Sequence, residues 1–255
     1  MSNTVIKGLG LMEALALSDR PRGVTELAAE LGMVKSQVHR LLQTLKARGY
    51  VRQDGESARY ACTLKLWEYG ALVADRLDVR GVATVHLQAL AQRTSETIHL
   101  SVLDDTEVLY IDKIDSPQPV RAYSRLGGRA PAYCVATGKA LLAYAPAAVL
   151  AKLDGKLERH TPRTITRLDE LKRELERVRE QGYAINRGEW RDSVCGLAAP
   201  IFSAQGRTIA AVGISGPLER LTPGMLHDLA PLVLDSGRAI SRDLGFSGQP
   251  VHKAA

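Results

Sequence analysis

The stretch LAAELGMVKSQVHRLLQTLKARGYV, residues 27–51, holds two helical periods separated by a brief turn. Leu27, Ala28 and Leu31 give the apolar face of a short helix, Thr25 stands where a hydroxyl caps its start, and Gly32 ends it. Beyond Gly32-Met33-Val34, apolar residues recur at Val38, Leu41, Leu42 and Leu45 until Gly49, which predicts a longer helix over 35–48. Two helices joined by so short a link form a helix-turn-helix.

Working outward, Val5, Leu9, Met12, Leu15 and Ala16 share one face of a helix over 4–17, closed by Ser18-Asp19-Arg20-Pro21-Arg22-Gly23. On the other side Tyr50 and Val51 begin an extended run, Asp54-Gly55 has turn chemistry, and residues 59–63 return. Helix, helix, turn, helix, hairpin is the order of a winged helix-turn-helix.

Charge fits that order. The chain carries a formal +6, and from Lys35 to Arg52 there are cations at Lys35, Arg40, Lys46, Arg48 and Arg52 with no Asp or Glu between them. Positive potential concentrated in this way attracts a polyanion. A helix fits the major groove, and the residues near its N-terminus reach base edges. Lys35, Ser36, Gln37, His39 and Arg40 hold that end, with Gln43 one turn further on the same face. Gln pairs with adenine and Arg with guanine, while Lys and Ser more often hold phosphates. Arg52 and Arg59 on the hairpin either follow phosphates or the minor groove or are ordinary solvated hairpin charges.

Residues 64–94 read as a linker helix, with Leu66, Tyr69, Leu72, Val73 and Leu77 on one face and a break at Gly81. From Thr97 the period changes to two: Ile98, Leu100 and Val102 alternate with polar residues, Asp104-Asp105 turns the chain, and Val108, Tyr110 and Ile114 run back. Helices are expected over 138–144, 146–153, 168–180 and 223–244, and strands over 183–190, 194–202 and 207–215. The whole is an α+β protein: a DNA-binding domain over 1–64, a linker over 65–95, a sensor domain over 96–246 and a tail over 247–255.

The apolar fraction of 45% and charged fraction of 24% are those of a globular protein. The N-terminus lacks the layout of a signal peptide and no run is long and apolar enough to span a membrane, so a cytoplasmic protein without membrane partners is expected. Cys62, Cys134 and Cys195 are odd in number and far apart, which favours reduced, packed thiols. Metal-ligand spacing and the common catalytic motifs are absent, and neither metal nor cofactor is expected. An enzyme with an appended DNA-binding module is the alternative; the charged run Glu189-Trp190-Arg191-Asp192 is more readily solvated or ion-paired than catalytic.

Residues 27–51 resemble the DNA-binding segment of the IclR family of bacterial transcription regulators. The stretches RLGGRAPAYCVATGKALLA, GYAINRGEWRDSVCGLAAPIF and AAVGISGP resemble that family's effector-domain pattern in order and spacing. The resemblance implies a GAF-like effector-binding domain, a palindromic operator, a homodimer that can pair into a dimer of dimers, and control of a catabolic operon by a small organic acid. Two half-sites read together would raise both affinity and specificity.

Two features would hold such an acid. In the loop Leu126-Gly127-Gly128-Arg129-Ala130-Pro131, glycines can bring backbone N–H groups to a carboxylate, or simply make a tight turn. Strands carry Asn186, Gly196, Gly213 and Ser215, whose counterparts in members binding very small keto acids resemble Asp, Cys, Ser and Ser. Only the last is kept, and the lost side chains predict a larger pocket and an aromatic carboxylate. Tyr133 is a stacking candidate against a core role; Cys195, Trp190 and His99 are second-rank candidates, for which packing in the core is the more common role.

Overall fold

The computed structural model describes residues 3–74 and 79–248, and these form two compact units that divide at Arg76/Leu77. The first unit holds α1 (Asn3–Ala16), α2 (Val24–Glu30), α3 (Lys35–Ala47), the hairpin β1 (Val51–Gln53) and β2 (Tyr60–Cys62), and α4 (Lys65–Ala74). Its core is Leu11, Leu15, Leu27, Ala28, Val38, Leu42, Val51 and Tyr60. The turn into α3 is made by Gly32 at φ +60, with the Met33 N–H donating to Ala28 O at 2.9 Å. That backbone conformation favours glycine because a Cβ would crowd the chain.

Three expectations change here. Thr25 lies inside α2; Gly23 is the N-cap and no side chain caps the helix. On α1 the buried pair is Leu11 and Leu15, while Val5 and Leu9 are at least half exposed. Gly81, read as a break, lies within α5 (Val79–Thr94). The predicted linker is thus seen as α4 and α5, and Leu77 and the tail over 249–255 fall outside the described residues, as do the side chains of Leu72 and Val73.

The second unit adds β3 (Thr97–Asp104), β4 (Glu107–Ile114), β5 (Arg129–Pro131), a 3-10 turn at Ala132–Cys134, α6 (Ala136–Leu142), α7 (Ala147–Ala151), α8 (Leu168–Gln181), β6 (Ala184–Arg187), β7 (Val194–Phe202), β8 (Thr208–Pro217) and α9 (Pro223–Asp243). Six strands form one antiparallel sheet in the order β5-β4-β3-β8-β7-β6. Side chains alternate across it. Ile98, Leu100, Leu197, Ala199, Ile201, Val212 and Ile214 pack with α5 and α9 on one face, and Ala198 and Ala211 pack with α6 and α8 on the other. Helix α8 turns Leu171, Leu175 and Val178 inward as its period predicts, ending at Gly182 with φ +83.

The face toward α6 is built of small residues. His99 pairs with Gly213 and Gly213 with Ala198, while Ser215 pairs with Gly196 and Gly196 with Asn186. All seven residues of α6 are buried, so the helix lies close against that row. A Cβ on Gly213 would stand 2.8 Å from Ala198 Cβ, 2.8 Å from Leu197 O and 3.0 Å from Thr137 Cγ2. Glycine is needed here for the close approach of helix to sheet.

Candidate DNA-reading face and effector cavity

Helix α3 is anchored by Val38 and Leu42 on its inner side, and that fixes which residues point out. Lys35, Ser36, His39, Arg40 and Gln43 are exposed, Gln37 is half-buried, and Arg52 is exposed on β1. No ion pair engages Lys35, Arg40, Arg48 or Arg52 among the described residues. Gln37 accepts a hydrogen bond from Lys7 Nζ at 3.1 Å, and the Gln43 amide donates to Tyr60 Oη at 3.1 Å, 3.4 Å from His39 Nε2. Gln43 therefore ties the helix to the hairpin through a buried tyrosine.

Arg59 is placed differently. Its guanidinium donates to Glu26 Oε1 at 3.1 Å and to Pro21 O at 3.2 Å, and Glu26 also takes Arg20 and Arg22. Those guanidiniums, Arg22 foremost, hold the Glu26 carboxyl below the usual carboxylate range. Asp54 shapes the hairpin turn by accepting from the Ser57 N–H and Oγ, both at 2.7 Å.

In the second unit a cavity of about 50 Å³ lies between the sheet, the start of α6 and the loop before β5. His99, Tyr110, Ser124, Thr137, Asn186, Trp190, Arg191, Gly196 and Ser215 contribute to its wall. His99 Nε2 is 2.7 Å from Ser215 Oγ, and its Nδ1 is 3.4 Å from Ser124 Oγ. Burial lowers the His99 pKa to about 4, with Lys113 adding to the shift, so the ring is neutral at pH 7. Tyr110 packs against it with ring centroids 4.8 Å apart, and burial pushes that phenol up to about 12.

Asn186 accepts the Glu189 N–H at 2.8 Å through Oδ1, which leaves its NH2 as a donor at the cavity wall. Arg191 is exposed, stacks its guanidinium 4.7 Å over the Trp190 ring, and supplies the cation of the lining. The loop bearing Ser124 is held by Lys113 Nζ donating to Ser124 O at 2.7 Å and Arg220 Nη1 donating to Val120 O at 3.1 Å. Arg220 is itself fixed by the buried Glu96, with Nη2 donating to Oε2 at 2.7 Å.

Of the residues expected around an effector, Asn186, Gly196 and Ser215 line this cavity together with His99 and Trp190. Leu126 is about half exposed, and Gly127 takes φ +73 in a tight turn. The Gly127 N–H donates to Tyr110 O and the Gly128 N–H to Arg125 O, both at 2.8 Å, so neither is available to an anion in this arrangement. Tyr133 sits in the core and donates to Glu158 O at 3.0 Å. Cys195 points to the opposite face, among the side chains packed on α5 and α9. Gly213 lies under Thr137, so its missing side chain leaves packing contact where open space was expected.

Arg191, Thr137, Ser124 and Tyr110 went unnoticed as site residues in the sequence. A signal existed for Arg191, since it stands beside Trp190 in a charged run. The other three come from elements far apart in the chain, Tyr110 from β4, Ser124 from the loop before β5 and Thr137 from α6, and only the fold brings them together.

A helix-turn-helix with an unpaired cationic helix, joined to a domain with a small cavity lined by apolar and a few polar groups, defines a ligand-responsive DNA-binding regulator. Two family descriptions match: the IclR helix-turn-helix domain over residues 4–55 and the bacterial transcriptional regulator IclR C-terminal domain over residues 71–242. The chain belongs to the IclR family of transcription regulators. It is 39% identical over 250 residues to the HTH-type transcriptional regulator KdgR of Escherichia coli, covering 97% of this chain and 95% of that one. The glycerol operon regulatory protein of Streptomyces coelicolor is 34% identical over 241 residues, covering 94% and 95%. Among solved structures, the repressor BlcR of Agrobacterium tumefaciens aligns with a TM-score of 0.82 at 25% identity, covering 96% of this chain and 98% of that one. These relatives are named as regulators, which agrees with a non-enzymatic role. Among the described residues no helix is long and apolar enough to cross a membrane.

Proposed function

We propose that this regulator reads a palindromic operator through the leading edge of α3 as a homodimer or a dimer of dimers in the cytoplasm, and that a small organic acid in the cavity around His99 changes its hold on DNA. The observation that carries the DNA side is the outward, acid-free edge at Lys35, Ser36, His39 and Arg40. Binding should weaken steeply with salt, because each phosphate contact releases counterions. The effector side rests on chemistry: Arg191 can hold a carboxylate, while Ser215 with neutral His99, Ser124, Thr137 and the Asn186 amide can pair with hydroxyl or oxo groups.

The step to an aromatic carboxylate needed space at both Gly196 and Gly213. Gly213 supplies none, and the cavity measures about 50 Å³, so small acids are favoured. Control of a catabolic operon is the biological setting proposed; the glycerol operon relative is consistent with such a role.

Fluorescence anisotropy with the duplex upstream of the protein's own gene tests the DNA side. Arg40→Ala and Gln37→Ala should lose about 1–3 kcal/mol each while remaining folded. Unchanged affinity in both would remove α3 as the reader. A thermal-shift screen of small hydroxy, oxo and aromatic acids tests the effector side, since a ligand at a hundred times its Kd adds about 2.7 kcal/mol of stability. A hit that is turned over chemically would instead support the enzyme alternative.

A further inference from the structure

Lys139 lies on α6 with 1% of its surface exposed, within one helical turn of the cavity-lining Ala136 and Thr137. Its ammonium donates to Glu189 Oε1 at 2.8 Å and to Glu174 Oε1 at 3.2 Å. Glu189 is also buried, and it falls between Asn186 and the pair Trp190-Arg191, all three of which line the same cavity. The segment around it is closely tied: the Glu189 N–H donates to Asn186 Oδ1 at 2.8 Å, the Arg187 N–H to Glu189 Oε1 at 3.3 Å, and Thr164 Oγ1 to Glu189 O at 2.6 Å.

A buried ion pair is a poor means of adding stability. Taking both charges out of water costs much of what their attraction returns, and an apolar pair of similar volume commonly does as well. Here burial pushes the Glu189 carboxyl up against the pull of Lys139, and Glu189 Oε2 is buried without a hydrogen-bond partner among the described residues. What the pair does provide is direction. Lys139 Nζ and the Arg187 N–H converge on one carboxylate oxygen, which fixes the 186–191 segment relative to α6.

We propose that the Lys139–Glu189 pair is a positioning device that holds residues 186–191 in the pose presenting Asn186, Trp190 and Arg191 to the ligand. It sets how well the cavity binds, with less weight on whether the domain folds. The inference rests on the effector reading of the cavity, and its test is arranged so that each can fail alone.

The test uses the full chain carrying Trp67→Phe, which leaves Trp190 as the sole tryptophan, and acrylamide as the quencher. Glu189→Ala removes the carboxylate. Glu189→Gln keeps an oxygen at Oε1 for Lys139 and Arg187. The double variant Lys139→Met with Glu189→Leu removes the buried pair together and leaves Glu174 with its second partner, Arg177, at 3.1 Å, so a folded sample is expected even if the single alanine variant is unstable.

The expected result is a quenching constant raised about twofold or more in Glu189→Ala and in the double variant, faster hydrogen exchange at residues 186–192, and values near the parent in Glu189→Gln. Quenching and exchange equal to the parent in the folded double variant would overturn the proposal, as would Glu189→Gln behaving like Glu189→Ala. Neither readout needs an effector. A response here with no ligand found in the acid screen would count against the effector reading alone, while a ligand hit with no response here would count against the positioning role alone.

Discussion

Gly196 and Gly213 lie on the same sheet face in neighbouring strands, and alanine at each should have opposite consequences. At Gly213 the new Cβ meets Ala198 Cβ and Leu197 O at 2.8 Å and Thr137 Cγ2 at 3.0 Å, so α6 must lift or the sheet must bend. Overpacking of this kind costs about 1–3 kcal/mol. For a domain of this size each kcal/mol lowers Tm by roughly 2–4 °C, so a drop of roughly 2–12 °C is expected. At Gly196 the nearest neighbours are Ile214 O at 3.1 Å and Ala136 Cβ at 3.6 Å, and the position borders the cavity. A methyl group there takes space from a cavity of only about 50 Å³. Stability should therefore stay within about 1 kcal/mol of the parent while affinity for the acid found by screening falls about tenfold or more. Calorimetric unfolding, with the two units free to melt separately, and ligand titration measure the two quantities. Gly213→Ala that abolishes binding at unchanged Tm, or Gly196→Ala that costs as much stability as Gly213→Ala, would refute this assignment of cavity and packing roles.

Glu26→Gln should release Arg59 and Arg20, while Arg22 stays on Glu30 at 2.6 Å, and so raise affinity for non-operator duplex and steepen its salt dependence; a salt slope identical to the parent would mean the two released guanidiniums do not reach DNA. Lys35→Gln should weaken binding to all sequences alike and reduce the slope by about 1, whereas Arg40→Ala should also relax sequence preference. His99 has a folded pKa of about 4 against an ordinary 6.5, so between those values the unfolded chain binds more protons than the folded one. Unfolding free energy should fall by about 3 kcal/mol as pH drops from about 6.5 to about 4, and His99→Gln should flatten that segment of the urea-melt profile.

The DNA-binding unit was legible because its signals are local. Val38 and Leu42 fix the inner side of α3, Gly32 fixes the turn, and the absence of acids over 35–52 needs no folded context. Helix α1 was harder: it bears apolar residues on two sides, Val5 and Leu9 as well as Leu11 and Leu15, and periodicity cannot choose which packs. Gly81 misled because Ala83, Leu87 and Leu90 of α5 are buried against the sheet and α9, and that packing outweighs a propensity cost of about 1 kcal/mol. The cavity was the least legible part. His99, Ser215 and Asn186 meet only through the pairing of Thr97 with Ser215, Ser215 with Gly196 and Gly196 with Asn186, a row spanning four strands.

The same register explains why glycine at 196 and 213 reads alike in sequence and differs in space. Alternation puts both on the α6 face, but α6 lies on the sheet so that Thr137 covers Gly213, while Gly196 lines the cavity. Charge follows a similar division. In the sensor unit the cations around the cavity are committed: Lys139 to Glu189 and Glu174, Lys113 to Asp115 and Ser124 O, and Arg220 to Glu96. Those contacts set geometry, and Arg191, stacked on Trp190, is the cation of the cavity lining. On α3 the cations at 35 and 40 have no such partner among the described residues, so their field is directed outward. The leading edge of α3 therefore directs its positive charge outward, while beside the cavity Lys139, Lys113 and Arg220 are engaged by protein groups.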